Sequence, residues 1–262
     1  MRVLITGAAR AIGAATAQVL HGHGCEVVAT ARDPELLSEV PATLHLRLDV
    51  TNDDSVRDCL AAAGDIDVLI NNAAIAEAGP LETYPLDRLR ACLETNTLGS
   101  LRMVQGVVPG MRRRGHGVIV NVSSVNGRVS APLEGAYAAS KFALEALSET
   151  LHYELGHFGI RVVVVEPGYI APGMKASPQW GVEPPYDELA EQWWGADATL
   201  LGEGGRPAPT IVADAIWDAI TTESPRLRWP VGADAELILS TRAQLDDEQF
   251  EAAMRSTLGL TW

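Results

Sequence analysis

Two kinds of stretch alternate along this chain. Short, almost continuous apolar runs rich in β-branched residues read as strands buried on both faces; apolar residues spaced three and four apart read as helices laid over them. The first pattern predicts strands at 2–6, 26–30, 44–48, 67–70, 117–122, 159–166 and 227–231. The second predicts helices from the turn after Thr6 through Leu20, over 56–63, over 86–111, from Ala136 to about His157, over 188–201 and 211–222, and onward from Asp234 and Asp246. Such alternation specifies the α/β class, with a parallel, doubly wound, seven-stranded sheet and helices on both faces. No internal repeat and no second domain is evident, so residues 1–262 read as one domain.

Two stretches interrupt the pattern. Asn96 lies inside the 86–111 helix although its helix propensity is poor. A kink opened around a bound water accounts for it, and an exposed helical Asn is the plain alternative. From 169 to 209 prolines concentrate (Pro172, Pro178, Pro184, Pro185, Pro207, Pro209) together with Trp180, Trp193 and Trp194. So long a connection inside a compact domain is characteristically a lid or binding loop. Its aromatic mass suits an apolar pocket for a sizeable substrate, or the packing of the loop itself.

At 262 residues and 47% hydrophobic content the chain can bury a large core. No apolar run approaches a membrane span, and the first strand starts directly after Met1 with no charged-then-apolar leader. A net charge of −14 argues against a nucleic-acid partner, and the short cluster Arg112-Arg113-Arg114 reads as a solvated helix end. Cys25, Cys59 and Cys92 are odd in number and form no close pair, which disfavours a disulfide framework or a zinc site and fits a reducing cytoplasm. None of the six histidines has ligand spacing, so no metal is assigned; the absence of a Gly-x-Ser-x-Gly turn counts against an α/β-hydrolase.

The polar residues at the expected strand ends carry the chemistry. Thr6-Gly7-Ala8-Ala9-Arg10-Ala11-Ile12-Gly13 links a strand to a helix, where glycines let backbone amides and the helix amino terminus approach a diphosphate. Ala11 stands where a middle glycine is expected. After the second strand the usual ribose-binding carboxylate is replaced by Ala31, with Arg32 next; with Arg10, two guanidinium groups can clasp a 2′-phosphate. The plain alternative puts both in solvent, Arg32 paired to Asp33. Asp49 can accept from an adenine amino group or cap the helix that follows. Asn71-Asn72-Ala73-Ala74 offers small residues for close approach and amides that can tie strand ends together. Finally, Tyr137 and Lys141 lie four apart on one helix face, with Ser124 at a strand end, an arrangement suited to proton transfer to a carbonyl oxygen. A cation near the phenol is expected to lower its pKa from about 10.

Taken together, Thr6-Gly7-x-x-x-Ala11-Ile12-Gly13, Asp49, Asn71-Asn72-Ala73-Ala74, Asn96, Ser124, Tyr137-x-x-x-Lys141 and Pro167-Gly168 resemble the short-chain dehydrogenase/reductase family over almost the whole chain. Spacing supports the match: twenty-eight residues from Asn96 to Ser124 and thirteen from Ser124 to Tyr137, which selects Ser124 over Ser123. The resemblance implies a Rossmann fold and a tetrad. In it Tyr137 exchanges the proton, Lys141 holds the ribose and lowers the tyrosine pKa, Ser124 orients the substrate oxygen, and Asn96 anchors a water relaying protons to Lys141. It implies NADP(H) as cofactor, held by Gly7, Arg10, Ala11, Ile12, Gly13, Ala31, Arg32, Asp49, Val50, Asn72, Ala73, Ala74, Tyr137, Lys141, Pro167, Gly168 and Ile170. For the substrate it implies Asn126, Leu133, Tyr169, Met174 and Trp180. Ala11 and Ala74 replace family glycines, and Pro172 stands where a threonine usually binds the nicotinamide carboxamide. The ending Arg228-Trp229-Pro230-Val231-Gly232 resembles the retinol- and hydroxysteroid-dehydrogenase-like branch. The expected activity is therefore reduction or oxidation of a bulky hydrophobic ketone, aldehyde or secondary alcohol by a cytoplasmic homodimer, a tetramer being the alternative. Its helices 86–111 and 137–157 would pair. A halohydrin-dehalogenase-like lyase, which replaces the lysine by arginine, is disfavoured by Lys141; a non-catalytic NADP-binding regulator is disfavoured by retention of both Tyr137 and Lys141.

Overall fold

The computed structural model of the chain describes residues 1–172, 180–196, 199 and 205–262. Seven strands, β1 (Arg2–Ile5), β2 (Glu26–Ala31), β3 (Leu44–Arg47), β4 (Val68–Asn71), β5 (Gly117–Val122), β6 (Ile160–Pro167) and β7 (Arg228–Val231), form one sheet in the order β3-β2-β1-β4-β5-β6-β7. Every pairing is parallel. All residues of β4 and β5 are buried, which is why these strands read as unbroken apolar runs. Successive side chains feed opposite layers: Val3 and Ile5 join Leu20, Val120 and Ile216, whereas Leu4 joins Met103, Ile119 and Val162.

The helices are α1 (Ala11–Gly22), α2 (Asp53–Ala63), α3 (Leu86–Leu93), α4 (Gly99–Arg114), α5 (Gly135–Gly156), α6 (Asp187–Gly195), α7 (Thr210–Thr221), α8 (Ala233–Gln244) and α9 (Asp247–Leu258) among the described residues. Strand order turns back between β1 and β4, so their carboxyl ends open a crevice of the kind in which doubly wound sheets bind ligands.

The single helix expected over 86–111 is broken. A π-helical segment, Glu94–Leu98, separates α3 from α4, and Asn96 within it is 1% exposed, which overturns the exposed-asparagine reading. The wide turn arises because the Asn96 side chain leaves the helix for another segment: its Oδ1 accepts from the Ile75 N–H at 2.8 Å and its Nδ2 donates to the Ile75 carbonyl at 2.8 Å. The helix expected over 188–201 ends at Gly195; Leu200 and Leu201 lie outside the described residues. There Trp193 is 5% exposed and packs with Leu133, Ala190 and Leu258, so this tryptophan serves the loop's own core.

Candidate active site

The glycine turn is built by contacts that exclude side chains. Gly7 has φ +67°, and a Cβ on it would sit 2.9 Å from the Ala73 Cα; one on Gly13 would sit 2.3 Å from the Gly7 carbonyl oxygen. Asn72 locks the turn, its Nδ2 donating to the carbonyls of Thr6 and Gly7 at 3.0 Å each, while the Thr6 hydroxyl oxygen accepts from the amides of Asn72 and Ala73 at 2.9 Å. The amide ties extend along the strand ends. Asn71 donates to Asn121 at 2.9 Å, and Asn121 to the Ser148 hydroxyl at 2.8 Å. Ala11 is less mild a replacement than its size suggests, for its φ of +46° lies in the left-handed region, which costs an L-residue about 1–2 kcal/mol.

These residues fit a dinucleotide. Ala31 is buried at the end of β2, and Arg10 and Arg32 are exposed with no ion pair among the described residues. Asp33, the anticipated partner of Arg32, instead accepts from the Glu35 amide at 3.1 Å as the cap of a 3₁₀ turn. Nor is Asp49 a helix cap: Asn52 caps α2 by accepting from the Ser55 amide at 2.8 Å. The Asp49 carboxylate takes the Thr51 hydroxyl and amide and is held below the ordinary carboxylate value: burial opposes this, while those hydrogen bonds and the Arg32 and Arg47 charges outweigh it. Ile12 is partly buried, Val50 is buried under Gly99, and Ala73 and Ala74 line the end of β4.

On the other side of the crevice, α5 presents Tyr137 and Lys141. The Ser124 hydroxyl accepts from the Asn126 amide at 3.2 Å and is close enough to favour the Tyr137 phenolate, and the Lys141 ammonium lies 5.6 Å from the tyrosine ring centre while donating to the Val122 carbonyl at 2.7 Å. Ser123 is 3% exposed, and a Cβ on Gly127 would sit 2.5 Å from its hydroxyl, so Ser123 is enclosed while Ser124 is only half-buried. The pKa expectation is corrected. Burial pushes the Tyr137 phenol above its ordinary value, outweighing the lowering influence of Ser124, and pushes Lys141 down to about 8, because desolvation penalises both charged forms. Asn96 does not touch Lys141: besides Ile75 its amide donates to the Ser140 hydroxyl at 2.9 Å, and that hydroxyl donates to the Tyr137 carbonyl at 2.7 Å. Its visible part is to fix the turn of α5 that carries the phenol.

Pro167 and Gly168 close the crevice at the end of β6. A Cβ on Gly168 would lie 2.1 Å from an Asp234 oxygen, and Asp234 accepts from the Tyr169 amide at 2.7 Å. Asp234 thus holds the turn, a part no local signal announces; in the sequence it reads only as a helix start. Ile170 is buried in the core. Among the substrate candidates, Asn126 donates through Nδ2 to Glu134, and Tyr169 lies under Arg206, whose guanidinium is 5.2 Å from the ring. Leu133 adopts φ +64° while its carbonyl accepts from the Gly79 amide at 2.8 Å; Trp180 docks on the segment after β4, and Met174 lies outside the described residues. A groove of about 470 Å³ lined by Leu81, Leu133, Gly135, Ala139, Phe142 and Leu189 runs along α5, but on the helix face opposite Tyr137, outside the reacting crevice. No group of His, Cys, Asp or Glu able to hold a metal occurs among the described residues.

This geometry matches a known family: residues 1–180 fit the short chain dehydrogenases. The chain belongs to the short-chain dehydrogenase family. An uncharacterised oxidoreductase of Schizosaccharomyces pombe is 32% identical over 87% of this chain and 98% of its own. Human retinol dehydrogenase 8 is 42% identical over 63% of this chain and 58% of its own, in keeping with the branch indicated by the carboxyl-terminal segment. A short-chain dehydrogenase from Streptomyces avermitilis superposes with a TM-score of 0.81 at 34% identity, covering 98% of each chain. One from Burkholderia cenocepacia, solved in complex with NADP, gives 0.76 at 30% identity, covering 98% of this chain and 96% of its own. The chain is thus an oxidoreductase of a family that uses nicotinamide cofactors on small molecules. No helix among the described residues is long and apolar enough to cross a membrane.

Proposed function

We propose that this chain is an NADP(H)-dependent carbonyl reductase for a bulky hydrophobic ketone or aldehyde. The observation that carries it is the Tyr137 ring with the Lys141 ammonium 5.6 Å from its centre, on one helix beside the end of β5 where Ser124 stands. Ser124 orients the substrate oxygen, and Tyr137 gives that oxygen its proton as negative charge develops there. Lys141 supplies positive charge below the ring, held by Val122. The glycine turn and the strand-end residues would hold a nicotinamide cofactor, which would supply the hydride.

The preference for a 2′-phosphate rests on Arg10 and Arg32 standing exposed where a ribose-binding carboxylate is missing. The Burkholderia relative's NADP supports the same reading. An apolar substrate is supported by the name of the retinol dehydrogenase relative. Exposed Leu98, just ahead of α4, and Phe142 and Tyr153 on α5 support a homodimer through these helices, and three free, buried cysteines suit the cytoplasm. Turnover of a ketone panel with NADPH tests the proposal. Tyr137→Phe should abolish turnover while NADPH fluorescence still reports binding; turnover undiminished in that variant refutes the proton-donor role, and no cofactor binding by the wild type refutes the enzyme.

A further inference from the structure

Glu77 takes no part in proton transfer, yet it is a buried carboxylate (7% exposed) with an unusual set of donors. Arg88 donates to it through both Nε, at 2.9 Å, and Nη2, and the Trp180 indole N–H donates at 2.9 Å. The Arg88 hydrogen bond, opposed by burial and aided by Trp180, holds the carboxyl below its ordinary value. The Arg88 guanidinium also lies 5.8 Å from the Trp180 ring, so the indole is gripped at its edge and on its face. Tyr84, beside the pair, is pushed up to about 12 by its own burial and the Glu77 charge, and stays neutral.

The position of this cluster gives it a consequence. The Trp180 amide donates to the Ala78 carbonyl at 3.0 Å, and a Cβ on Gly79 would meet the Trp180 carbonyl oxygen at 2.5 Å, so the two backbones touch. Gly79 in turn donates to Leu133, four residues before Tyr137 and held at φ +64°. At its other end this segment is clamped through Ile75 by Asn96, which also holds Ser140 one residue before Lys141. Residues 75–79 therefore bridge the helix carrying the phenol to the tryptophan beyond it. With a single weak tie an indole at the start of a long loop would sample many rotamers; here its only donor is spent on a buried charge, which makes charge-assisted hydrogen bonds of the stronger kind.

We infer that Glu77 is a specificity-determining residue: with Arg88 it fixes the Trp180 indole as one wall of the substrate entrance and so sets which hydrophobic carbonyl compounds are admitted. This rests on the carbonyl-reductase reading and adds a substrate-selecting part to it. Glu77 is a positioning residue, acting through Trp180.

Two variants test it. Trp180→Phe keeps an aromatic ring and deletes only the donor; Glu77→Ala deletes the acceptor and leaves Arg88, already partly exposed, to solvent. In ¹H–¹⁵N spectra the indole resonance missing from Trp180→Phe identifies Trp180. It should be protected from deuterium exchange in the wild type and exchange about tenfold or more faster in Glu77→Ala. With NADPH, each variant should raise KM for bulky hydrophobic ketones about tenfold, the size of a lost hydrogen bond to a charge, with KM for small ketones and NADPH affinity unchanged. The double variant should be no worse than the poorer single one. An indole resonance indifferent to Glu77 overturns the latch. So do equal losses on small and bulky ketones, or losses that multiply in the double variant. If the wild type reduces no ketone while the resonance still depends on Glu77, the carbonyl-reductase reading fails, and the selecting role with it, though the contact stands.

Discussion

Glu166 permits a quantitative test of how this fold tolerates buried charge. It is 1% exposed at the end of β6, with Arg128 Nη1 at 3.3 Å and Arg228 Nε at 3.8 Å. Burial first, then the charge of Glu145, push its carboxyl from 4.5 up to about 7 against both arginines. The folded protein therefore keeps a proton that the unfolded chain releases between these values. Below pH 4.5 the group is neutral in both states and costs nothing. As pH rises from 4.5 to 7 stability falls, and above 7 the full penalty is present. A difference of 2.5 units, 7 minus 4.5, corresponds to about 3 kcal/mol at about 1.4 kcal/mol per unit. Glu166→Gln removes the titration while leaving the volume, so its stability relative to the wild type should rise by about 3 kcal/mol between pH 4.5 and 8. Urea unfolding of both proteins across that range measures this. With a slope of about 3 kcal/mol/M the midpoint difference should change by about 1 M. Because only the difference between the proteins is compared, titrating groups not coupled to Glu166 cancel, and Glu145 is the carboxylate that remains coupled. A midpoint difference constant with pH, or one moving against the variant as pH rises, would show that the two arginines outweigh burial.

The remaining predictions concern the crevice. Arg32→Ala should weaken NADPH binding by about 1.5–3 kcal/mol, the worth of a hydrogen bond to a charged group, and leave NADH nearly unchanged; equal losses in fluorescence titrations refute the phosphate assignment. Ala11→Gly relieves a left-handed alanine but adds freedom to the unfolded chain, so a gain of up to about 1 kcal/mol, or about 2–4 °C in Tm, is expected by calorimetry. Since Lys141 is lowered to about 8, reductase activity that needs its charge should be level on the acid side and fall as pH rises through about 8. A limb above pH 10 would mean that burial does not govern the lysine.

Parallel strands buried on both faces cannot hide their composition, and β5, six buried residues in a row, was legible to the residue. The turns at the strand ends were legible for a related reason. Gly7, Gly13, Asn72 and Ser124 act within a few residues of a predicted turn, and their spacing is itself the geometry. Legibility ended where a residue's partner lies far along the chain. Asn96 marked a fault in a helix, but the fault's form depends on Ile75, 21 residues away. Glu77 and Trp180 are 103 residues apart and Asp234 and Tyr169 65, and no local pattern joins either pair.

The sign of the Tyr137 shift shows the same limit acting on chemistry. Four-residue spacing places a cation near a phenol, and from spacing alone the cation should win. Which effect wins is decided by how much water the fold leaves around them, and α5 buries the lysine to 2% exposure. Under those conditions the ammonium is penalised as well, so the lysine is lowered to about 8, still mostly charged at neutral pH, while the phenol is raised and keeps its proton. Spacing thus brings the two groups onto one helix face, while the burial that the fold imposes on them sets the sign of both shifts.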